Sequence, residues 1–206
     1  MSVRAVVFDI GNVLIEWNPE RFFDARIGRP DRERLFAEVD LHHYNDLIDR
    51  GHDFRATIYD AADAHPEWRD EIRLWHDCWA EIAGPDIPHS LRLLRALRAK
   101  GVPCYALSNF GIGTFEVGVA KWPFLREFDQ SFISGHMGMA KPDAAIYAAL
   151  EAEVPQSPEG LLFTDDRGDN IAAAAARGWQ THQFHAPEGF AKRLVAEGLL
   201  SPEEAQ

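Results

Sequence analysis

Apolar residues fall along this chain in two rhythms. Short unbroken apolar runs recur at Val3–Phe8, Val102–Leu107, Ser131–Ser134, Leu161–Thr164 and Gln180–Phe184. Runs of this length without polar alternation read as strands buried on both faces. Helical patterns lie between them. His89–Lys100 sets Leu91, Leu94 and Leu97 on one stripe and then meets Gly101, a good helix stop. Asp143–Glu151 follows Pro142, and Asp169–Arg177 ends at Gly178. Strands alternating with helices predict parallel β-α units joined by right-handed crossovers, an α/β fold. The stretch from Glu20 to Pro88 breaks the rhythm. It shows no strand pattern and holds Trp68, Trp75 and Trp79, the last two one helical turn apart. It reads as a helical insert after the first strand, with hinges at Glu16–Pro19 and Gly84–Pro88. Gly84-Pro85-Asp86-Ile87-Pro88 has the composition of a linker.

Composition narrows the partners. At 206 residues the chain suffices for one large domain, or one domain with a smaller insert. A net charge of −12 argues against a general nucleic-acid or anionic-membrane surface, since both need clustered Lys and Arg. An anionic ligand would therefore need a local cationic centre. The two cysteines, Cys78 and Cys104, form no disulfide framework, and a reducing cytoplasm is expected. Cys104 sits in an apolar run and is expected in the core. The N-terminal apolar run is short and ends in Asp9, so it is neither a signal peptide nor a membrane span.

Candidate chemistry gathers where the apolar runs end. Asp9 closes the first run. Ser108-Asn109 follows Val102–Leu107, and Asp165-Asp166-Arg167-Gly168-Asp169-Asn170 follows Leu161–Thr164. Lys141 stands in Gly138-Met139-Ala140-Lys141-Pro142-Asp143. In an open parallel sheet the carboxyl ends of the strands share one edge, where ligands bind. Taken singly, each has an ordinary reading: Asp9 a helix cap, Ser108-Asn109 a turn, Lys141 a solvated charge, Asp169 a helix N-cap. Together they bring carboxylates side by side, which repel unless a cation or donors compensate. Asp9 with Asp166 suits Mg²⁺, which takes one or two carboxylates plus waters and substrate phosphate.

This ordered set resembles the haloacid dehalogenase superfamily of phosphotransferases. Phe8-Asp9-Ile10-Gly11-Asn12-Val13-Leu14 and Lys141-Pro142-Asp143-Ala144-Ala145-Ile146-Tyr147 look most like the branch that includes bacterial α-glucose-1-phosphate phosphatases. The resemblance implies a Rossmann-like three-layer parallel-sheet core, residues 1–16 and 88–206, with an inserted helical cap domain, residues 17–87. It implies that Asp9 is a nucleophile taking the phosphoryl group as an aspartyl-phosphate. Asp166, Asp9 and the Gly11 carbonyl would bind Mg²⁺, with Asp165 an additional or supporting carboxylate and Asp169 supporting the loop. Lys141 would neutralise the nucleophile and the moving phosphoryl group. Ser108 and the Asn109 backbone N–H would donate to phosphoryl oxygens.

One position departs from the family pattern. Most phosphatases of the superfamily carry a second aspartate two residues after the nucleophile, as general acid and then base. Here that position is Gly11. Three readings are open: leaving groups that need little acid help, such as anomeric sugar oxygens; a substitute side chain, with Glu16, His42 and His43 considered; or a protein that binds more than it turns over. In Leu41–Gly51, His43 and Arg50 are candidate substrate contacts, against the alternative of a solvated helix end. His42-His43 and His182/His185 lack a zinc-type ligand set. Trp68, Trp75 and Trp79 are expected in the cap core, and Phe22, Phe23, Phe110 and Trp122 in core or interface packing. The expectation is a cytoplasmic Mg²⁺-dependent phosphatase, monomer or homodimer, acting on a small phosphorylated metabolite, with sugar phosphates leading. A metal-free dehalogenase and a non-enzymatic phosphometabolite-binding protein are the competing readings.

Overall fold

A computed structural model describes residues 2–206. The chain runs β1 (Ala5–Phe8), β2 (Ile15–Trp17), α1 (Pro19–Ile27), α2 (Arg29–Glu38), α3 (Leu41–Asp49), α4 (Phe54–Ala64), α5 (Arg69–Asp77), α6 (Trp79–Ile82) and β3 (Ala83–Asp86). It continues through α7 (Pro88–Ala99), β4 (Cys104–Ser108), α8 (Ile112–Lys121), β5 (Gln130–Ile133), α9 (Ser134–Met137), α10 (Ala144–Glu153), β6 (Leu161–Asp165), α11 (Gly168–Ala176), β7 (Gln180–Gln183) and α12 (Pro187–Ala196).

Five strands form one parallel sheet in the order β5-β4-β1-β6-β7. β1 is central, with Val6 paired to Cys104 on one side and Leu162 on the other. Its four residues are all buried, because alternate side chains face opposite layers. Val6 and Phe8 enter a cluster with Leu93, Leu94 and Leu97 of α7 and Phe190 of α12. Ala5 and Val7 enter a second cluster with Ile146, Tyr147 and Leu150 of α10 and Trp179. The result is a three-layer α/β sandwich whose five sheet strands coincide with the five apolar runs. Cys104 is buried within it.

The insert carries helices α1 to α6, packed around Trp75, which is fully buried. Trp17 and Phe23 meet its ring at centroid distances of 5.8 and 6.0 Å. One correction concerns the hinges. Ala83–Asp86 is a strand, not a linker, and pairs antiparallel with β2 through Ile15↔Asp86 and Trp17↔Ala83. Its Gly-Pro text carries no strand signal; the pairing comes from a partner far away in sequence. Helices α8 and α12 also went unread, since neither shows a clean apolar stripe bounded by caps. Among the described residues, no helix is long and apolar enough to cross a membrane.

Candidate active site

β1, β4 and β6 lie side by side, so the residues at their carboxyl ends meet on one edge. Asp9, Ser108, Asp165 and Lys141 are all buried there. Asp9 Oδ1 accepts from Ser108 Oγ at 2.7 Å and from the Ile10 N–H at 2.7 Å. Lys141 Nζ reaches the same oxygen at 2.9 Å and Asp165 Oδ2 at 2.6 Å. Lys141 is held in place through its backbone: Asn109 Oδ1 accepts from its N–H at 2.8 Å, and Asn109 Nδ2 donates to its carbonyl at 2.9 Å. The Asn109 side chain is therefore a brace for Lys141.

Asp165 is saturated by protein donors. Its two oxygens take the Arg167 N–H, both contacts of Asn170 Nδ2, and Lys141 Nζ. Asp166 is more open. Its Oδ2 accepts from Asn12 Nδ2 at 3.0 Å, while Asn12 Oδ1 accepts from the Trp17 N–H. Asn12, at φ 54° in the left-handed region, thus ties the first loop to the acidic loop. It was missed in the sequence, where an Asn beside Gly reads as turn chemistry. Asp169 pairs with Arg167 at 2.7 Å in the first turn of α11 and is not its N-cap.

Electrostatically the edge is strained toward the negative. Burial pushes the Asp9 carboxyl above the usual range; Lys141 and the Ser108 hydroxyl pull it back, while Asp165 adds to the rise. Burial also disfavours charge on Lys141, but Asp9 and Asp165 outweigh it and its pKa is raised. Asp9, Asp165 and Asp166 offer carboxylate oxygens within 4.8 Å of one another. Three carboxylates against one ammonium leave an excess of negative charge that a divalent cation would neutralise. Two further observations fit a hard cation. Asn170 Oδ1 is buried and accepts no hydrogen bond, and the Gly11 carbonyl takes none of the loop's backbone hydrogen bonds.

Asp9, Gly11, Ser108, Asn109, Lys141 and Asp166 line one cavity of about 390 Å³. Its far wall belongs to the insert: His42, Asn45, Asp46 and Asp49 of α3, with Trp17 and Trp79. These α3 positions share one helical face. His43 and Arg50 do not line the cavity. His43 is exposed beside them on the helix, and Arg50 pairs with Asp143 at 2.9 Å. The residue types were read correctly but the face was not, because capping at Asp40 sets the rotation of α3. Trp68 and Trp75 are core residues, as expected; Trp79 is buried and also lines the cavity.

Comparison with known proteins agrees with this geometry. The sequence profile of the haloacid dehalogenase-like hydrolases matches residues 3–178, from β1 through the acidic loop. The chain belongs to this family. Among curated relatives, it is 27% identical over 202 residues to a drimenol cyclase from Aspergillus calidoustus, covering 94% of this chain. It spans only 36% of that protein's length. It is 27% identical over 194 residues to a sesquiterpene phosphatase from Aspergillus oryzae, covering 86% of this chain and 87% of the relative. A haloacid dehalogenase family enzyme from Bacteroides thetaiotaomicron has the same fold, with a TM-score of 0.73 at 23% identity over 94% of this chain and 99% of the other. That enzyme is also known in complex with magnesium and inorganic phosphate.

Proposed function

We propose that this haloacid dehalogenase-like hydrolase is a Mg²⁺-dependent phosphatase for a small phosphorylated metabolite. The observation that carries the reading is the buried Asp9–Ser108–Lys141 cluster beside the open carboxylate of Asp166. A hydrolase that attacks carbon needs no such surplus of carboxylates. The naming of one relative as a phosphatase and the binding of magnesium and phosphate by a structural neighbour point the same way.

Asp9, Asp166 and the Gly11 carbonyl would hold the Mg²⁺. The ion would supply charge neutralisation for phosphate and carboxylates packed together. The chain's own groups do the rest. The contacts to Asp9 all end on Oδ1, which leaves Oδ2 to attack phosphorus and form an aspartyl-phosphate. Lys141 balances the charge carried by the phosphoryl oxygens. Ser108, once Asp9 is engaged, has its hydroxyl to offer those oxygens. Asp165 and Asn109 keep Lys141 in place from behind. On the leaving-group side, Trp17 and Trp79 line the cavity together with His42, Asn45 and Asp46. A lining of aromatic and hydrogen-bonding side chains suits a polyhydroxylated body, so sugar phosphates lead.

The test is phosphate release from a panel of sugar and alkyl phosphates, with Mg²⁺ or with EDTA. Release is expected with Mg²⁺, to fall to background with EDTA, and to be absent in Asp9→Asn. Metal-independent turnover, or full activity in Asp9→Asn, would sink the reading. Thermal stabilisation by these ligands without release would favour a binding protein instead.

A further inference from the structure

Phosphoryl transfer to Asp9 leaves a proton to be delivered to the departing oxygen, and position 11 is glycine. Packing does not impose that glycine: a Cβ there would meet no atom within 4 Å. The core edge therefore presents no acid on the leaving-group side of Asp9. The opposite wall of the same cavity does. Four titratable side chains line it: Glu16 of β2, and His42, Asp46 and Asp49 of α3 in the insert. Glu16 is engaged in an ion pair with Arg21, and His42 Nε2 lies 3.2 Å from Glu20 Oε1. Asp46 is exposed.

Asp49 differs from these three. It sits in the last turn of α3, which packs against the core at α9. Ser134 Oγ donates to its backbone carbonyl at 2.5 Å. Its carboxylate accepts from Asn45 Nδ2 at 2.9 Å and lies near enough to the backbone N–H of Gly111, two residues past Asn109, to feel its dipole. Among the described residues, no Lys or Arg forms an ion pair with it. We propose that Asp49 is the general acid and base of the reaction, supplied from the insert across the cavity in place of the aspartate missing at position 11.

This rests on the phosphatase reading. In the first half-reaction Asp9 Oδ2 bonds to phosphorus, the P–O bond to the leaving group breaks, and the Asp49 proton goes to that oxygen. In the second, Asp49 carboxylate takes a proton from water as the water oxygen bonds to phosphorus. The P–O bond to Asp9 breaks, which frees phosphate and returns Asp9 as carboxylate and Asp49 as acid. The local charges favour a carboxyl that holds its proton near neutrality. Burial pushes Asp49 up to about 7; the Asp46 carboxylate beside it and Asp9 across the cavity add to the rise, and the Gly111 N–H and Lys141 oppose it. The remaining charged groups on the facing loops are Asp166 and Arg167.

The experiment compares kcat/KM for β-glycerophosphate, whose alcohol needs a proton to leave, with para-nitrophenyl phosphate, whose phenolate does not. kcat/KM reports only steps through leaving-group departure. In Asp49→Asn, a near-isosteric change, the alkyl ester is expected to lose roughly 10²–10⁴-fold and the aryl ester a few-fold at most. An equal loss on both, or no loss, overturns the assignment. The wild-type protein gives a second readout that needs no variant. With each rate referred to the dianionic fraction of its own ester, the alkyl-to-aryl ratio of kcat/KM should fall as pH rises through about 7, because titrations of Asp9 and Lys141 are common to both esters and cancel. A ratio flat across neutral pH overturns the assignment as well. If wild type releases no phosphate from either ester, the phosphatase reading itself fails, a result distinct from both.

Discussion

A half-buried carboxylate that has lost much of its water and has no cation in contact is easier to keep neutral than charged. That places a second, activity-independent consequence on Asp49. Its pKa is raised from 3.8 to about 7, by burial first and by Asp46 next. Between those values the unfolded chain has released the proton while the folded chain keeps it. Stability from this group is therefore full below pH 3.8 and is lost as the pH climbs to about 7. Asp49→Asn removes the titration. Relative to wild type, the variant is expected to gain stability on going from about pH 4 to about pH 8, by at most about 4 kcal/mol. Urea unfolding at both pH values measures it, and a difference that does not change with pH would count against a raised pKa at Asp49. Asp49 was not legible in the sequence, whereas Asp9, Ser108, Lys141 and Asp166 were. The latter end apolar runs or sit in distinctive text, and a strand end has a known place in a parallel sheet. A helical aspartate has no such address: its face depends on how the helix is capped and docked.

At the scale of elements, the site depends on how closely α3 approaches the loop after β4 and the start of α9. Small residues make that approach possible. A Cβ on Gly135 would lie 2.8 Å from the Ile112 nitrogen and 2.9 Å from the Phe110 oxygen, backbone atoms that cannot swing aside. On Gly111 it would lie 2.9 Å from the Ile48 carbonyl oxygen. Gly51, at φ +102°, faces the Gly135 carbonyl just as closely, at 2.8 Å. Gly111→Ala, whose Cβ would run into Ile48 of α3, is expected to cost about 1–3 kcal/mol of stability by overpacking. By pushing α3 outward, it should also lower kcat/KM more for an alkyl than for an aryl phosphate. Gly160→Ala is the control, since its nearest neighbours would stand at an ordinary 3.5 Å. Equal behaviour of the two variants in thermal melts and kinetics would show that the approach is not tight. The sheet and its flanking helices were readable because burial on both faces leaves unbroken apolar runs. The β2–β3 pairing and these glycine contacts were not, because each is made between segments far apart in sequence and neither needs a distinctive local pattern.

For the whole molecule, the decisive fact is that the insert and the sheet share one apolar cluster. Ile58, Ile72 and Trp75 of the insert belong to the same buried group as Val6, Phe8 and Leu94 of the core. The bridge runs through Trp79, whose ring packs against Phe110 at 5.4 Å between centroids, and through Ile48 and Phe54 against the glycines of the α8 segment. Swinging the insert away as a body would expose these apolar faces to water, at roughly 25 cal/mol for each Å². The Arg50–Asp143 pair, half exposed on both sides, adds little to that cost. The two parts are therefore expected to unfold together. Calorimetry should give a single transition whose van't Hoff and calorimetric enthalpies agree. Two resolved transitions would mean that the insert is a separately stable unit and that Asp49 is held at the site only part of the time. Trp79→Ala sharpens the contrast. Removing a buried indole costs about 3–5 kcal/mol. With a shared core that loss lowers one common midpoint, whereas a loosely docked insert would melt ahead of the sheet and leave the sheet's own midpoint in place.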